Sequence, residues 1–341
     1  MKDISLLVNT LYRNKLVRPI IKSLIPKKVR NAFLSYINDS KKYKSVSLYF
    51  NNGIARIDHK NKNIQGLVPM YYFDDTPNFG DVVGPYLVSK ITGKPVLNIN
   101  DSRYPGIMAV GSIMQMINRK DMVVWGSGLM YKPTNEKMKE LKEYNPEILS
   151  VRGRKTANLL LEAGINVPDP SVYGDPALIL PFFYKPSVSG SKEIGICPHY
   201  SHKSHFLKNI TDKNNLKIID VQKDMETVVG SISSSSVCIS TSLHGLIIAQ
   251  AYNIPWVWLE IFDNNLAGDD FKFKDFFSTL DESQVSHVRA RLEDVKSLDY
   301  KTIAKNATLP DKLYNEELIL ESLKAYLDRE TSASVCSSIN K

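Results

Sequence analysis

The residues with the most pointed chemistry in this chain are Ser242-Leu243-His244-Gly245. Val237–Ile239 is a short β-branched run, residues 240–242 are small and hydroxylated, and an apolar stretch follows to Ala251 before Asn253 and Pro255. That order predicts strand, tight turn and helix. His244 then falls in the first helical turn, where free backbone N–H groups and the helix dipole favour an anion. A core histidine holding one hydrogen bond is the competing reading of the same stretch. Asn78-Phe79-Gly80-Asp81 sets a carboxylate just before another helix, as a general base or simply an N-cap. Arg152, with Arg154 two residues on, follows a strand and precedes a helix; guanidinium groups there suit a multi-oxygen anion or an ion pair. His199 stands immediately beyond a third strand, with His202, Lys203 and His205 after it. Their H-x2-H-x2-H spacing is not that of a helix-face metal site, and no metal site is expected. Gly126-Ser127-Gly128 and Gly111-Ser112 resemble phosphate-cradling turns without being GxGxxG or a Walker A loop. No GxSxG or HExxH motif is present.

These residues need strand ends to hold them. Leu67–Phe73, Ile107–Val110, Met122–Trp125 and Ile148–Val151 read as strands, each followed by a turn of small or polar residues, with helices over Val82–Thr92 and Lys155–Ala163. Strand, turn and helix in repetition indicate a doubly wound α/β domain, whose ligands sit at the carboxyl ends of the strands. That domain spans 67–184, and 185–192 reads as a linker. A second α/β unit, 193–284, opens with strand Glu193–Cys197 and a polar loop through Lys203. It continues with strand Lys217–Val221, helix Met225–Ser233, the His244 unit and strand Trp256–Leu259. Residues 285–330 read as helices and 331–341 as a frayed, Ser-rich tail.

The net charge of +8 is unevenly placed: residues 1–44 carry eleven Lys and Arg against two Asp, so the remaining chain is −1. A basic leader with a near-neutral body argues against a nucleic-acid-binding core. The leader belongs to an extension, residues 1–66. Over residues 1–45 it mixes apolar and basic residues at helical intervals broken by Pro19 and Pro26. It is read either as an amphipathic segment for an anionic membrane surface or as a solvated or docked arm. It does not read as a secretory signal, and no run is long enough for a transmembrane helix. Three widely spaced cysteines without a CxxC pair suggest buried thiols in a reducing compartment. The expected location is cytoplasmic, with peripheral contact at the inner face of the plasma membrane on the first reading of the leader.

Taken in order, seven stretches resemble the polysaccharide pyruvyltransferase family, in particular its bacterial exopolysaccharide branch. They are Asn78–Asp81, Trp125–Gly128, Val151-Arg152-Gly153 with Thr156, Gly174–Ala177, Pro198–Tyr200, Ser242–Gly245 and Phe271-Lys272-Phe273. The resemblance implies a GT-B-like fold, with two Rossmann-like domains facing a cleft. It also implies transfer of the pyruvyl group of phosphoenolpyruvate onto two hydroxyls of a sugar, in a polysaccharide or its lipid-linked precursor, as a cyclic ketal with release of phosphate. The family's Leu-His motif carries onto Leu243-His244 as a phosphoenolpyruvate site, flanked by Ser242 and Gly245, and a nearby arginine onto Arg152. Some branches have arginine where this chain has Ser242, so the donor's charge must be met elsewhere; Arg152, Arg154, Lys203 or Lys272 could supply it, and no family role carries onto Arg154. Asp81 and His199 are the candidates for deprotonating the sugar. Asn78, Gly80, Ser127 and Gly128 are candidates for acceptor-binding or cleft turns. The scheme calls for no cofactor beyond the donor substrate. A GT-B glycosyltransferase using a nucleotide sugar is the main alternative, and a non-catalytic carbohydrate-binding relative the other.

Overall fold

The computed structural model describes residues 46–50, 53–57, 66–99, 104–187, 193–210 and 215–339. The expected membrane-surface segment, residues 1–45, and most of the linker lie outside these. Two sheets, bordered by helices, make up the fold.

The first sheet contains β1 (Val46–Phe50), β2 (Gly53–Ile57), β3 (Val68–Tyr71), β4 (Val96–Asn98), β5 (Ile107–Met108), β6 (Val123–Trp125) and β7 (Glu147–Ser150). Its order is β2-β1-β4-β3-β5-β6-β7, and the five strands from β4 to β7 are parallel, while β1 joins β4 antiparallel. Helices α1 (Phe79–Thr92), α2 (Asn135–Tyr144) and α3 (Arg154–Glu162) fall between and after these strands. The parallel strands read as uninterrupted apolar runs because helices cover them; β4, β5 and β6 are buried at every residue.

The second sheet, order β12-β11-β10-β8-β9, is wholly parallel. Its strands are β8 (Ile194–Cys197), β9 (Leu216–Ile218), β10 (Val237–Ser240), β11 (Trp256–Ile261) and β12 (His287–Ala290). Helices α4 (Tyr200–Asn209), α5 (Met225–Ser233), α6 (Leu243–Ala251), α7 (Phe271–Phe277), α8 (Tyr300–Lys305) and α9 (Glu316–Ile339) complete the chain. The five parallel strands of the first sheet, the whole second sheet and every site residue named below lie in one compact unit, residues 47–55 and 64–341. A single apolar cluster runs through it, from Val68 and Trp125 in the first sheet to Leu246, Trp256 and Phe276 around the second.

Several expectations are corrected. Residues 285–330 are not helical throughout, because β12 extends the second sheet; its exposed alternate residues give it little apolar signature. The polar stretch after β8 is helix α4 rather than a loop, with only His202 and Phe206 buried. Helix α2 is charged and buries only Leu141, so its periodicity is faint. Residues 331–339 continue helix α9. This helix packs on the first sheet's side, where Trp125 Nε1 donates to the Ile319 carbonyl (2.8 Å).

Candidate functional site

Most candidate residues stand beyond the carboxyl ends of parallel strands, where a wound sheet leaves room for ligands, whereas Lys203 lies within α4 and Lys272 at the start of α7. His199 follows β8, His244 follows β10, Arg152 follows β7, and the Asn78–Asp81 segment follows β3. The two halves meet here directly, since Phe79 N donates to the Val221 carbonyl beyond β9 (2.9 Å).

His244 is the second residue of α6. Ser242 occupies the N-cap position in extended conformation, but its side chain caps no helical N–H. Its own N–H donates instead to Ser240 Oγ (2.9 Å), which donates on to the Cys197 carbonyl (2.9 Å), tying the turn to β8. Leu243 anchors the turn in the core, and a Cβ at Gly245 would collide with Ser240 and Cys197. The imidazole of His244 lies edge-on to Phe79 (6.4 Å between centroids). It also rests on Gly80, where a Cβ would overlap the ring, so only glycine lets the starts of α1 and α6 approach this closely. His244 Nε2 is shut off from solvent and has no hydrogen-bond partner among the described residues. Burial, then the charges of Arg152 and Lys272, push the imidazole down to about 3, so it is neutral at pH 7.

Lys272, at the start of α7, is only 8% exposed. No hydrogen bond or ion pair holds its ammonium among the described residues; its contact is with the Phe273 ring (5.7 Å to the centroid). Burial and the Arg152 charge lower it to about 8, against an opposing pull from Asp81. Asp81 moves the other way. Burial raises it to about 6, opposed by the Asn78 hydrogen bond and by Lys272. It is not the cap of α1: Asn78 holds that position and donates from Nδ2 to Asp81 Oδ2 (2.9 Å). An acid and an amine pushed toward neutrality from opposite sides is the arrangement general acid–base chemistry needs.

His199 caps α4, its Nδ1 accepting from Ser201 N (3.3 Å), which leaves the neutral ring's proton on Nε2. Burial, followed by Lys272, His202 and His244, lowers it to about 3. His202 bridges Thr241 Oγ1 (3.0 Å) and the Asn264 carbonyl (2.9 Å), and Thr241 Oγ1 in turn accepts from His199 N (2.8 Å). Lys203 is engaged by Asp220 (2.8 Å) and Gln222 (2.9 Å). Among the described residues no group of three or more His, Cys, Asp or Glu is placed to hold a metal ion.

Arg152 is fully buried. Its Nε donates to Asp275 Oδ2 (2.9 Å), with which Nη2 forms an ion pair (2.8 Å); Nη2 donates to the Leu129 carbonyl (2.7 Å) and Nη1 to Ser112 Oγ. Gly128 lies flat against the guanidinium, and Ser127 Oγ donates to the Gly111 carbonyl (2.9 Å), so the Gly126-Ser127-Gly128 turn builds the arginine's cradle. Thr156 adds bonds to Asp275 from its N–H (2.8 Å) and hydroxyl (2.7 Å). Asp275 thus locks α7, and with it Lys272, to the start of α3. Sequence reasoning passes over Asp275, although a carboxylate inside the aromatic run Phe271–Phe277 signals a buried partner.

Two cavities flank the cluster without enclosing it. One, about 280 Å³, is bordered by His202, Thr241, Trp258 and Phe273. The other, about 500 Å³, opens beside Asn78.

Two wound sheets with His244, His199, Asp81 and Lys272 gathered near their carboxyl edges have the layout of a ligand-binding α/β site. Residues 93–264 match the family model for polysaccharide pyruvyl transferases, half of the chain, and the protein belongs to that family of enzymes. Asn78–Asp81 and Lys272 lie outside the matched residues. The chain is 28% identical over 217 residues to the uncharacterized protein L143 of Acanthamoeba polyphaga mimivirus, covering 61% of this chain and 73% of that protein. It is also 28% identical over 222 residues to the succinoglycan biosynthesis protein ExoV of Rhizobium meliloti (strain 1021). That match covers 62% of this chain and 64% of ExoV, less than two thirds of it. Membership of the family supports pyruvyl transfer onto a polysaccharide. No helix among the described residues is long and apolar enough to cross a membrane.

Proposed function

We propose that this protein transfers the pyruvyl group of phosphoenolpyruvate onto two hydroxyls of one sugar of a glycan, across a GT-B-like cleft between its two Rossmann-like halves. One observation carries the reading: a solvent-excluded His244 Nε2 lies within reach of the charge of a buried Lys272 ammonium, and among the described residues neither has a hydrogen-bond or ion-pair partner. A pocket that buries cationic and N–H donor groups without an internal acceptor is incomplete until an anion enters. The phosphate and carboxylate of phosphoenolpyruvate suit it. Arg152, committed to Asp275, contributes its positive charge and the position of α7 rather than a free guanidinium fork.

In this reading His244 Nε2 holds the phosphate, taking up a proton as the anion raises its basicity. Lys272 holds the donor and gives a proton to its methylene carbon, C3, so that C2 becomes electrophilic. A sugar hydroxyl bonds to C2 while Asp81 takes its proton. The C2–O bond to phosphate then breaks, and the second hydroxyl closes the ketal. Of the two hydroxyl protons, one ends on C3 and the other on phosphate, which balances the reaction. His199, neutral with its proton on Nε2, serves as a donor. The test is phosphate release from phosphoenolpyruvate by the purified protein, with galactosides, glucosides and mannosides of both anomers. A His244→Ala protein with normal turnover refutes the assignment. Release of a nucleoside diphosphate from a nucleotide sugar makes the protein a glycosyltransferase instead.

A further inference from the structure

We infer that the cavity of about 500 Å³ beside Asn78 is the seat of the acceptor, and that it takes a neutral hexopyranosyl unit. The inference rests on the donor reading above only for which neighbour it faces. The walls are the segment 73–82 beyond β3 and the segment 222–226 beyond β9, both at carboxyl ends of parallel strands, together with Tyr49 of β1. The Phe79–Val221 backbone bond joins them.

Position, charge and size each favour the sugar here. The segment Asn78–Asp81 has two sides in use: Asn78 lines the cavity, while Gly80 abuts the His244 ring. Asn78, on the cavity wall, donates to Asp81 Oδ2 (2.9 Å), so the cavity adjoins the carboxylate proposed to take the hydroxyl proton. The cavity's charged residues, Asp74, Asp224 and Glu226 against Lys223, are net acidic. An acidic lining repels a polyanionic donor and steers it to the His244–Lys272 side, while neutral hydroxyls hydrogen-bond carboxylates readily. Phe73 supplies an apolar face for the C–H side of a pyranose ring, with Thr76 and Asn78 as polar contacts. The cavity near Trp258, about 280 Å³, is below the range of about 300–1,000 Å³ usual for ligand pockets, whereas 500 Å³ lies within it.

The test uses the full chain and saturation-transfer NMR with four probes: the methyl α- and β-galactopyranosides, methyl β-glucopyranoside and methyl α-mannopyranoside. Phosphoenolpyruvate affinity is measured separately by calorimetry. Saturation transfer to at least one glycoside is expected. Thr76→Trp, which fills the cavity from an exposed position, should abolish it. Phe73→Ala should weaken it roughly tenfold, and both variants should bind phosphoenolpyruvate as the parent does. Absence of transfer from all four glycosides, or transfer that survives Thr76→Trp, overturns the inference. If glycosides bind in a Thr76-dependent way and phosphoenolpyruvate does not bind at all, the acceptor seat stands and the donor reading falls.

Discussion

Replacing Lys272 with methionine separates what the lysine costs the fold from what it gives the site. The residue is only 8% exposed, and burial with the Arg152 charge lowers its pKa from 10.5 to about 8. At about 1.4 kcal/mol per pH unit, holding the charged form in the native state costs about 3 kcal/mol. The sign follows from proton counting. Between pH 8 and 10.5 the unfolded chain keeps the proton that the native protein has lost, so native stability rises with pH through that window and the cost is complete below it. Lys272→Met keeps the volume and removes the charge. Urea unfolding at pH 7 should show the variant more stable by up to about 3 kcal/mol, with the difference shrinking toward zero by pH 10.5. Tyrosines titrate over the same alkaline range in both proteins and cancel in the comparison. Calorimetry with phosphoenolpyruvate should show affinity reduced by one to two orders of magnitude, since a charge-assisted contact is worth about 1.5–3 kcal/mol. A variant that is less stable at pH 7 while binding phosphoenolpyruvate normally would refute the reasoning at both ends.

Asp81→Asn should lower kcat strongly. It should also remove the limb of the rate profile on which activity is lost as pH falls through about 6; a limb unchanged in the variant assigns it to another group. His244 is held neutral to about 3 against 6.5 unfolded, so its contribution to stability is complete above pH 6.5 and declines as pH falls toward 3. His244→Gln should therefore be less acid-labile than the parent by about 2 kcal/mol at pH 5, read from urea midpoints; equal acid lability counts against the buried neutral ring. Asp275→Asn leaves a fully buried Arg152 without its carboxylate and should destabilise the fold by about 3–5 kcal/mol in denaturant titrations. Gly80→Ala should lose about 1–3 kcal/mol of stability by overpacking and also lose phosphoenolpyruvate binding, because its methyl would overlap the His244 ring; a protein of parental stability and binding would mean the ring yields without consequence.

Much of the architecture is legible along the chain because buried parallel strands announce themselves as apolar runs closed by small-residue turns. The helix after β10 falls where hydroxylated residues and an apolar stretch require it, at Leu243–Ala251. Elements with one weakly buried face escape this reading. Helix α4 buries only His202 and Phe206, and β12 has a single buried residue. Their stability comes from neighbours far along the chain, to which local periodicity is blind.

For the site, the sequence by itself determined which residue types stand at strand ends: a histidine in a helix's first turn, a carboxylate beside Asn78, and a lysine within an aromatic run. Their states were decided only by tertiary structure. Burial and mutual charge hold His244 neutral, raise Asp81 and lower Lys272. Pairing engages Arg152 with Asp275 and Lys203 with Asp220, partners 123 and 17 residues away. Desolvation and ion pairing depend on what surrounds a group in space, and residues distant in sequence supply most of those surroundings.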